Sequence, residues 1–563
     1  MDAWLGYSPP VANTGLALKD NGACLVGEDS ILLAVSQERL SRIKHDSSLD
    51  KALALALSTA TTKGVHLRKA AYSTCSDSAW TPKKGTPDLE FPSIAVPSHH
   101  YSHALSAYLV SPFLKSLVLV ADAGGNVLRD SDSPAWWSAP REQTTLWYGI
   151  DGGVTLLERF HSRPYDIGYG EWYRAFTYYL GWPSHTLSGN TMALAAYGQD
   201  NDLHEYGIWD DDPSGTLGGT LKNLPPDPIS MVKELLRSHG IPAPQPRTPA
   251  TQLSEEHTRL AGYIQRSLQD SLLRLIEDAI RTYDLDKVCL SGGVAQNCVA
   301  AARVAQMLGP GNLFVSGYSA DVGQCVGNAL HARRLDLGAD APRFREILFL
   351  GPEYSPHAID HECKSLGIAT PAQPRELLAR EAAETLARGQ VVAVYEGRSE
   401  FGARALGHRS VLCDPCLPGV VAKVKAGVKR RDDFMPLAPV IDEALATELE
   451  ACSLSKTMTL APTLPSVYRN EFGEAMHVDG TARIQVADPQ ELMGQIIKEF
   501  AKITGRRVLI NTSFNRRGQP IVETPREAVM AAIELEIDAL LLEDRMLYKE
   551  ALATLTLPQD RNS

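Results

Sequence analysis

The sequence predicts an α/β protein built from two hairpin-led halves and a second α/β region, and three observations lead there. The first is a pair of hairpins. Gly22–Val26 and Ile31–Val35 flank a Gly27–Ser30 turn, and Thr144–Tyr148 and Val154–Leu157 flank Asp151-Gly152-Gly153. The second is an alternation of helical and strand-like segments behind each hairpin. The third is a further run of that alternation after residue 375. Two similar halves facing a cleft would suit an actin- or sugar-kinase-like ATPase core.

The elements follow in order. Leu260, Ile264, Leu268, Leu272, Ile276 and Ile280 recur every four residues with charges between them, which predicts one long amphipathic helix against a sheet. Strand Val288–Leu290 leads to Ser291-Gly292-Gly293 and then to a helix from Asn297 to Leu308. Strand, Gly-Gly, helix is either a plain tight turn or a backbone that approaches a nucleotide phosphate closely. Strand Leu313–Val315 precedes Asp321-Val322-Gly323. Residues 346–375 carry Gly-Pro, Ser-Pro and Thr-Pro breaks and read as a linker. This gives domains at 1–345 and 376–563. The second contains helix Glu376–Arg388, strand Val391–Tyr395, helix Gln490–Ile503, strand Arg507–Ile510, helix Pro525–Glu534 and strand Ala539–Leu542.

Bulk properties narrow the function classes. The 563 residues are 44% hydrophobic and 22% charged, as in ordinary globular proteins. No apolar run reaches bilayer length, and Met1–Gly6 lacks the basic and apolar regions of a signal peptide, so a cytoplasmic protein with no membrane partner is expected. Nine scattered cysteines argue against a disulfide scaffold. Cys413-Asp414-Pro415-Cys416 is a lone CxxC, and accidental spacing outweighs a redox or zinc role. The net charge of −12 disfavours nucleic acid as a partner.

The chemistry concentrates in two places. His99 and His103 are four residues apart, so on a helix both imidazoles share one face. The apolar run Ser116–Ala121 delivers Asp122 to the Gly124-Gly125 turn, and Asp321 stands similarly before a glycine. Two imidazoles and two carboxylates suit Fe²⁺, Mn²⁺ or Zn²⁺; the alternative is a pair of surface histidines on an ordinary helix. The second place is Glu396–Ser410, where Arg398, Arg404 and Arg409 lie among glycines after a strand. Lys429-Arg430-Arg431, Arg483 and the strand-end Asn511-Thr512-Ser513 accompany it. Guanidinium forks with small amide and hydroxyl groups suit a polyanion such as ATP or an acyl phosphate, whereas the alternative is a solvated basic face.

The blocks HHYSHA (99–104), VADAGG (120–125), TMALAAYG (191–198), LSGGVAQN (290–297), ADVG (320–323), EGRSEFGARALGHRS (396–410), VKRRDDFMPLAP (428–439), HVDGTARIQ (477–485) and INTSFNRRGQPIVETP (510–525) span nearly the whole chain. Together they closely resemble the O-carbamoyltransferase family that includes nodulation protein U and the antibiotic-tailoring carbamoyltransferases. The resemblance implies an actin-like (ASKHA, Kae1-like) N-terminal domain for carbamoyl transfer and a YrdC-like α/β C-terminal domain. The latter would convert carbamoyl phosphate and ATP, with Mg²⁺, to carbamoyl-adenylate and pyrophosphate. The former would hand the carbamoyl group to a hydroxyl of a small-molecule acceptor, a secondary metabolite, releasing AMP.

By the same resemblance, His99, His103, Asp122 and Asp321 match Fe²⁺ ligands, and His99, His103 and Asp122 belong to the catalytic set. Gly292 and Gly293 match a glycine pair near the adenylate, and Lys44 matches a basic residue beside it. Arg404, Lys429, Arg483, Asn511 and Ser513 match nucleotide- and carbamoyl-phosphate-binding positions. Three departures stand out: Lys19-Asp20 replaces the usual His-Asp at the acceptor, Asn190 stands where Lys is frequent, and Met435 stands where Arg commonly precedes proline. Lys19 is then a base, a contact to an acidic acceptor, or inert. Two other readings are a tRNA threonylcarbamoyl-type transferase and an inactive nucleotide-binding homologue. The first loop, Tyr7 to Lys19, and the aromatic stretch Gly168–Tyr173 are expected at the acceptor, although a packed core explains the aromatics equally well. The acceptor's identity and the oligomeric state are not encoded in any motif.

Overall fold

Short apolar runs bounded by turn residues become buried strands, and in the first part of the chain they do so twice in one order. In the computed structural model, which describes residues 1–8, 20–73, 89–126, 141–161, 168–198, 227–248, 250–338 and 341–555, the chain divides into two units. One comprises Met1–Gln37 and Ser47–Glu346, the other Glu38–Asp46 and Ile347–Ser563. A contiguous 1–345 domain therefore needs correction, because Glu38–Asp46 packs with the C-terminal unit. Within that unit Arg42 donates to the carbonyls of Ile521 (2.7 Å) and Pro520 (3.1 Å), bonds between residues far apart in sequence.

The first unit holds two five-stranded sheets. Strands β1 (Asp2–Tyr7), β2 (Gly22–Gly27), β3 (Ile31–Ser36), β4 (His66–Tyr72) and β5 (Ser93–Ala95) lie in the order β3-β2-β1-β4-β5. Strands β6 (Ser116–Ala121), β7 (Glu142–Ile150), β8 (Gly153–His161), β9 (Val288–Ser291) and β10 (Leu313–Val315) lie in the order β10-β9-β6-β7-β8. Each sheet has an antiparallel hairpin beside its first strand and parallel strands on the other side. Numbered within its own half, each reads 3-2-1-4-5, the duplicated order of the actin-like ATPase fold. The second hairpin turns through Asp151 (φ 50°) and Gly152 (φ 68°), the left-handed pair that a two-residue hairpin loop needs.

Two helices carry the chemistry. His99–Val110 is capped by Ser98, whose Oγ accepts the Tyr101 N–H at 3.0 Å, and it is buried on nearly every side. Gln324–Leu337 packs against it and against β1. The four-residue apolar spacing forms a 29-residue helix, Glu255–Tyr283, opened by a Ser254/His257 capping box.

The second unit is a mixed sheet of β11 (Val392–Tyr395), β12 (Arg409–Cys413), β13 (Pro439–Ile441), β14 (Gln485–Val486), β15 (Val508–Ser513), β16 (Ala539–Leu542) and β17 (Arg545–Tyr548), ordered β14-β13-β15-β12-β11-β16-β17. Period-2 alternation feeds both faces. Val392 and Val394 pack under helices Arg375–Ala387 and Leu492–Thr504, while Ala393 and Tyr395 pack under Pro356–Ser365 and Pro525–Glu534. The stretch expected as a linker is thus corrected too. Ser355 caps the Ala358 N–H at 3.2 Å, Pro356 begins the helix, and Ile359 and Cys363 join the core. Cys413 and Cys416 are free thiols. Among the described residues, no helix is long and apolar enough to cross a membrane.

Candidate active site

In the first unit four predicted ligands meet. His99 and His103 project from one face of the Ser98-capped helix, Asp122 follows β6, and Asp321 opens a short 3₁₀ turn before the Gln324 helix. His103 Nε2 lies 3.3 Å from Asp122 Oδ2 and 3.2 Å from Asp321 Oδ1. His99 Nε2 lies 3.5 Å and 3.4 Å from the same two atoms. All four donor atoms fall within 4.8 Å of one another. Donors bound about 2.1 Å from one tetrahedral centre stand about 3.4 Å apart, so these separations match ligands around a shared cation. Asp122 Oδ2 is buried and makes no well-aligned hydrogen bond despite its two imidazole neighbours. An N₂O₂ donor set with an orphaned carboxylate oxygen fits a divalent metal.

Electrostatics tie the group together. Burial opposes ionisation of Asp122, but contacts with His103 and His99 outweigh it and hold the carboxyl well below the usual range. Burial likewise opposes charge on His103, whereas Asp122 and Asp321 raise its pKa. His100, between the two ligands in sequence, points elsewhere. Its Nδ1 meets Thr145 Oγ1 at 3.0 Å, and burial pushes its pKa down to about 4, leaving a neutral core histidine.

Gly292 and Gly293 lie beside this group, since a Cβ on Gly293 would stand 3.0 Å from Asp122 Oδ1. Gly292 has φ 86° and ψ 171°, a backbone that only glycine adopts readily. Asp20 has a left-handed φ of 71° and is not part of the four-donor group. Lys19 lies outside the described residues, as does most of the first loop. The aromatic stretch forms helix Tyr169–Tyr179 with Tyr169, Trp172 and Tyr173 buried, so packing, not an exposed platform, accounts for those rings.

The second unit gathers cations. Lys429 is 2% exposed and donates to Ser513 O (2.7 Å), Ser513 Oγ (2.9 Å), Asn515 O (3.0 Å) and Asn515 Oδ1 (2.7 Å). Burial, then Arg431 and Lys44, hold its pKa well below the normal lysine value. Burial, then Arg483 and Arg517, bring Arg431 down to about 10. Lys429 thus faces Arg431 and Lys44, and Arg431 faces Arg483 and Arg517, as like charges. Lys44 also pairs with Glu38 at 2.8 Å. Asn511 is buried, donates to Gln485 Oε1 (2.6 Å) and Ala405 O (3.2 Å), and leaves its own Oδ1 without a partner.

Arg404 sits on a loop closed by a buried carboxylate. Glu400 Oε1 accepts the backbone N–H groups of Leu406 (2.7 Å), His408 (2.9 Å) and Arg409 (3.1 Å). Sequence reasoning named Arg404, Lys429, Arg431, Arg483, Asn511 and Ser513 as candidates but missed Glu400 and did not single out Arg517. The acid among three arginines in 398–409 was the available signal for Glu400.

Duplicated sheets around a two-histidine, two-aspartate group define an actin-like protein with a candidate metal centre. The chain belongs to the carbamoyltransferase family and is a carbamoyltransferase: the family model described as Carbamoyltransferase N-terminus matches residues 65–330, and Carbamoyltransferase C-terminus matches 383–549. Nodulation protein NolNO of Sinorhizobium fredii is 29% identical over 575 residues, covering 94% of this chain and 79% of that protein. The 3'-hydroxymethylcephem-O-carbamoyltransferase of Amycolatopsis lactamdurans is 26% identical over 421 residues, covering 68% and 70%. Among solved structures, full-length HypF in its phosphate- and nucleotide-bound form superposes with a TM-score of 0.33 at 13% identity, over 60% of this chain and 47% of that one. The strand orders, not that superposition, carry the fold assignment.

Proposed function

We propose that the protein is an ATP-dependent O-carbamoyltransferase that works in two steps. In the C-terminal unit, read as YrdC-like, carbamoyl phosphate and ATP give carbamoyl-adenylate and pyrophosphate. Phosphorus balance then requires inorganic phosphate as a further product, with one water consumed. In the N-terminal unit a hydroxyl oxygen of a small-molecule acceptor attacks the carbamoyl carbon. The bond to the adenylate oxygen breaks, and AMP leaves.

The observation that carries this reading is a buried lysine, Lys429, among like-charged neighbours in the second unit. Burial, then Arg431 and Lys44, hold Lys429 below its ordinary pKa, and burial, then Arg483 and Arg517, hold Arg431 below its own. A phosphate among them would restore full charge and turn repulsion into attraction. Asn511 and Ser513 would orient the carbamoyl phosphate, and Arg404 would reach the nucleotide from the loop that Glu400 closes. The carbamoyltransferase names of the relatives support the transfer chemistry.

In the first unit His99, His103, Asp122 and Asp321 would hold a divalent metal, Fe²⁺ by family resemblance. When bound it supplies Lewis-acid polarisation of the anhydride. Gly292 and Gly293 would let the adenylate approach the end of β9. Lys19 and Asp20 are proposed to receive the hydroxyl proton and to position the acceptor.

The test separates the steps. Arg404→Ala and Lys429→Ala abolish carbamoyl-phosphate-dependent release of pyrophosphate from ATP. His103→Ala and Asp122→Ala keep that release and stop transfer. Equal loss of pyrophosphate release in the His103 variant would refute the division. Metal content of the purified protein decides the ion.

A further inference from the structure

We infer that Glu396, His408 and Glu491 form a second divalent-cation site, of a kind that suits Zn²⁺, which ties both ends of the 396–408 loop to the helix Leu492–Thr504. The site lies within the second unit, shares no residue with the four-donor group and does not depend on the proposed chemistry.

The backbone brings the three side chains together. Strands β11 and β12 pair antiparallel, and Tyr395 opposite Arg409 is their last partnered position. The ladder runs on for one bond, from the Glu396 N–H to the His408 carbonyl at 3.0 Å. Side chains directly opposite each other leave a sheet on the same face, so Glu396 and His408 meet. Glu491 immediately precedes the helix Leu492–Thr504 and supplies the third group. His408 Nε2 lies 3.3 Å from Glu491 Oε2 and 3.9 Å from Glu396 Oε2, and the three donor atoms fall within 4.8 Å of one another. Ligands about 2.1 Å from a tetrahedral centre stand about 3.4 Å apart, so Glu396 Oε2 needs to close on the ring by about 0.5 Å.

Two further observations point to a cation. The first is the tautomer. His408 Nδ1 lies 2.7 Å from the Arg398 carbonyl, which can only accept, so Nδ1 carries a proton. The lone pair of the neutral ring is then on Nε2, and the oxygens it meets belong to carboxylates, which accept as well. Three acceptors facing one another repel unless something positive lies between them. Phe349 stacks on the ring with 3.5 Å between centroids and 5° between planes, which fixes the direction of that lone pair. The second observation is an orphan: Glu396 is 8% exposed, and its buried Oε2 makes no hydrogen bond.

Arg375 does not fill that role. It pairs with the other oxygen, Glu396 Oε1, and lies 3.9 Å from Glu491 Oε2. It offsets one of the two carboxylates and steadies Glu396, as outer partners of ligating carboxylates do. In the metal-free protein the alternative occupant is a proton on Nε2, which bonds Glu491 at 3.3 Å and leaves Glu396 Oε2 without a donor. A dication serves both oxygens at once. One imidazole and two carboxylates leave a fourth position for water, and the Glu491 side chain, 38% exposed, marks the way in.

The experiment uses the full-length protein carrying His99→Ala and His103→Ala, which silences the four-donor group, stripped with a chelator. Zn²⁺ is titrated near neutral pH in competition with a chromophoric chelator, and Co²⁺ is followed by its absorption. We expect one Zn²⁺ per chain and Co²⁺ d–d bands without the near-ultraviolet charge-transfer bands of a thiolate. Adding His408→Gln or Glu491→Gln should weaken Zn²⁺ by more than about 100-fold, since each deletes a ligand. Absence of tight Zn²⁺ binding in the starting protein would overturn the inference and leave only the proton. Binding that survives both added substitutions, or thiolate bands that place the metal on cysteines, would overturn it equally. Should the double-alanine protein fail to fold, the wild-type chain is titrated beside Glu491→Gln, whose side chain is the most exposed of the three. Loss of one equivalent in that variant supports the site, and an unchanged titration overturns it.

Discussion

Replacing Gly292 with alanine tests whether the first unit can lose its chemistry while the second keeps its own. Gly292 holds φ 86° and ψ 171°, and an L-residue there costs about 1–3 kcal/mol in the backbone alone. The added Cβ would overlap the Ala121 carbonyl oxygen outright and stand 2.8 Å from the carbonyl carbon. Both neighbours are strand backbone and cannot rotate away, which adds an overpacking cost of about 1–3 kcal/mol. Relief comes only by separating the ends of β6 and β9, and β6 ends one residue before Asp122. We therefore expect about 2–6 kcal/mol of destabilisation, measured by urea unfolding, with transfer to the acceptor and Zn²⁺ binding by the four-donor group both lost. Carbamoyl-phosphate-dependent pyrophosphate release should persist, because its residues all lie in the other unit. Full transfer activity in Gly292→Ala would refute the reasoning. Equal loss of both half-reactions in a folded variant would refute the separation of tasks.

Two further predictions concern the second unit. Glu400→Gln keeps the shape but weakens the acceptor shared by three backbone N–H groups. Stability should fall by about 1–3 kcal/mol, and the KM for ATP should rise as the Arg404 loop loosens. For His408, burial disfavours the charged ring, but a 3.3 Å contact with Glu491, then Glu396 and Glu400, raise its pKa above the ordinary 6.5. Arg375, which pairs with Glu396, is the opposing cation nearby. A raised folded-state pKa contributes stability that is complete below the unfolded value and is lost as pH climbs through the folded one. In the metal-free protein His408→Gln should therefore flatten the fall in urea stability as pH rises above the ordinary 6.5; an unchanged slope would remove His408 from that role.

Local pattern made much of this legible. The runs that became β2, β3, β6 and β16 are short, apolar and bounded by glycine, aspartate or serine, so their strand character needs no tertiary information. The HxxxH spacing placed two imidazoles together because a helix alone decides that. Other features depend on bonds that sequence distance hides. Nothing around Arg42 announces that its guanidinium will meet the carbonyls of Pro520 and Ile521. Pro356 reads as a break until Ser355 is seen to cap the helix it opens. Tyr169, Trp172, Tyr173 and Phe176 carry a helical core period that was visible in principle, but it is masked when the segment is read as a run of aromatic types. Gln324 is a single polar residue, and its contacts with Ser73 and His99 come from two distant stretches of chain.

Charge explains why two steps would occupy two units. ATP is a polyanion, and the second unit offers Lys429 and Arg431 with lowered basicity that a phosphate would relieve, beside Arg483 and Arg517. The first unit's cluster is the opposite case, because Asp122 and Asp321 put two partly buried carboxylates side by side. A triphosphate would be repelled there. A divalent cation on those carboxylates brings the group to neutrality, and neutral imidazoles add no charge. On the proposed two-step reaction, the adenylate monoanion would approach through the glycine pair without the penalty that ATP would face. The chain's overall −12 is thus no guide to either site, since each is set by a handful of local groups that a sum over the whole chain averages away.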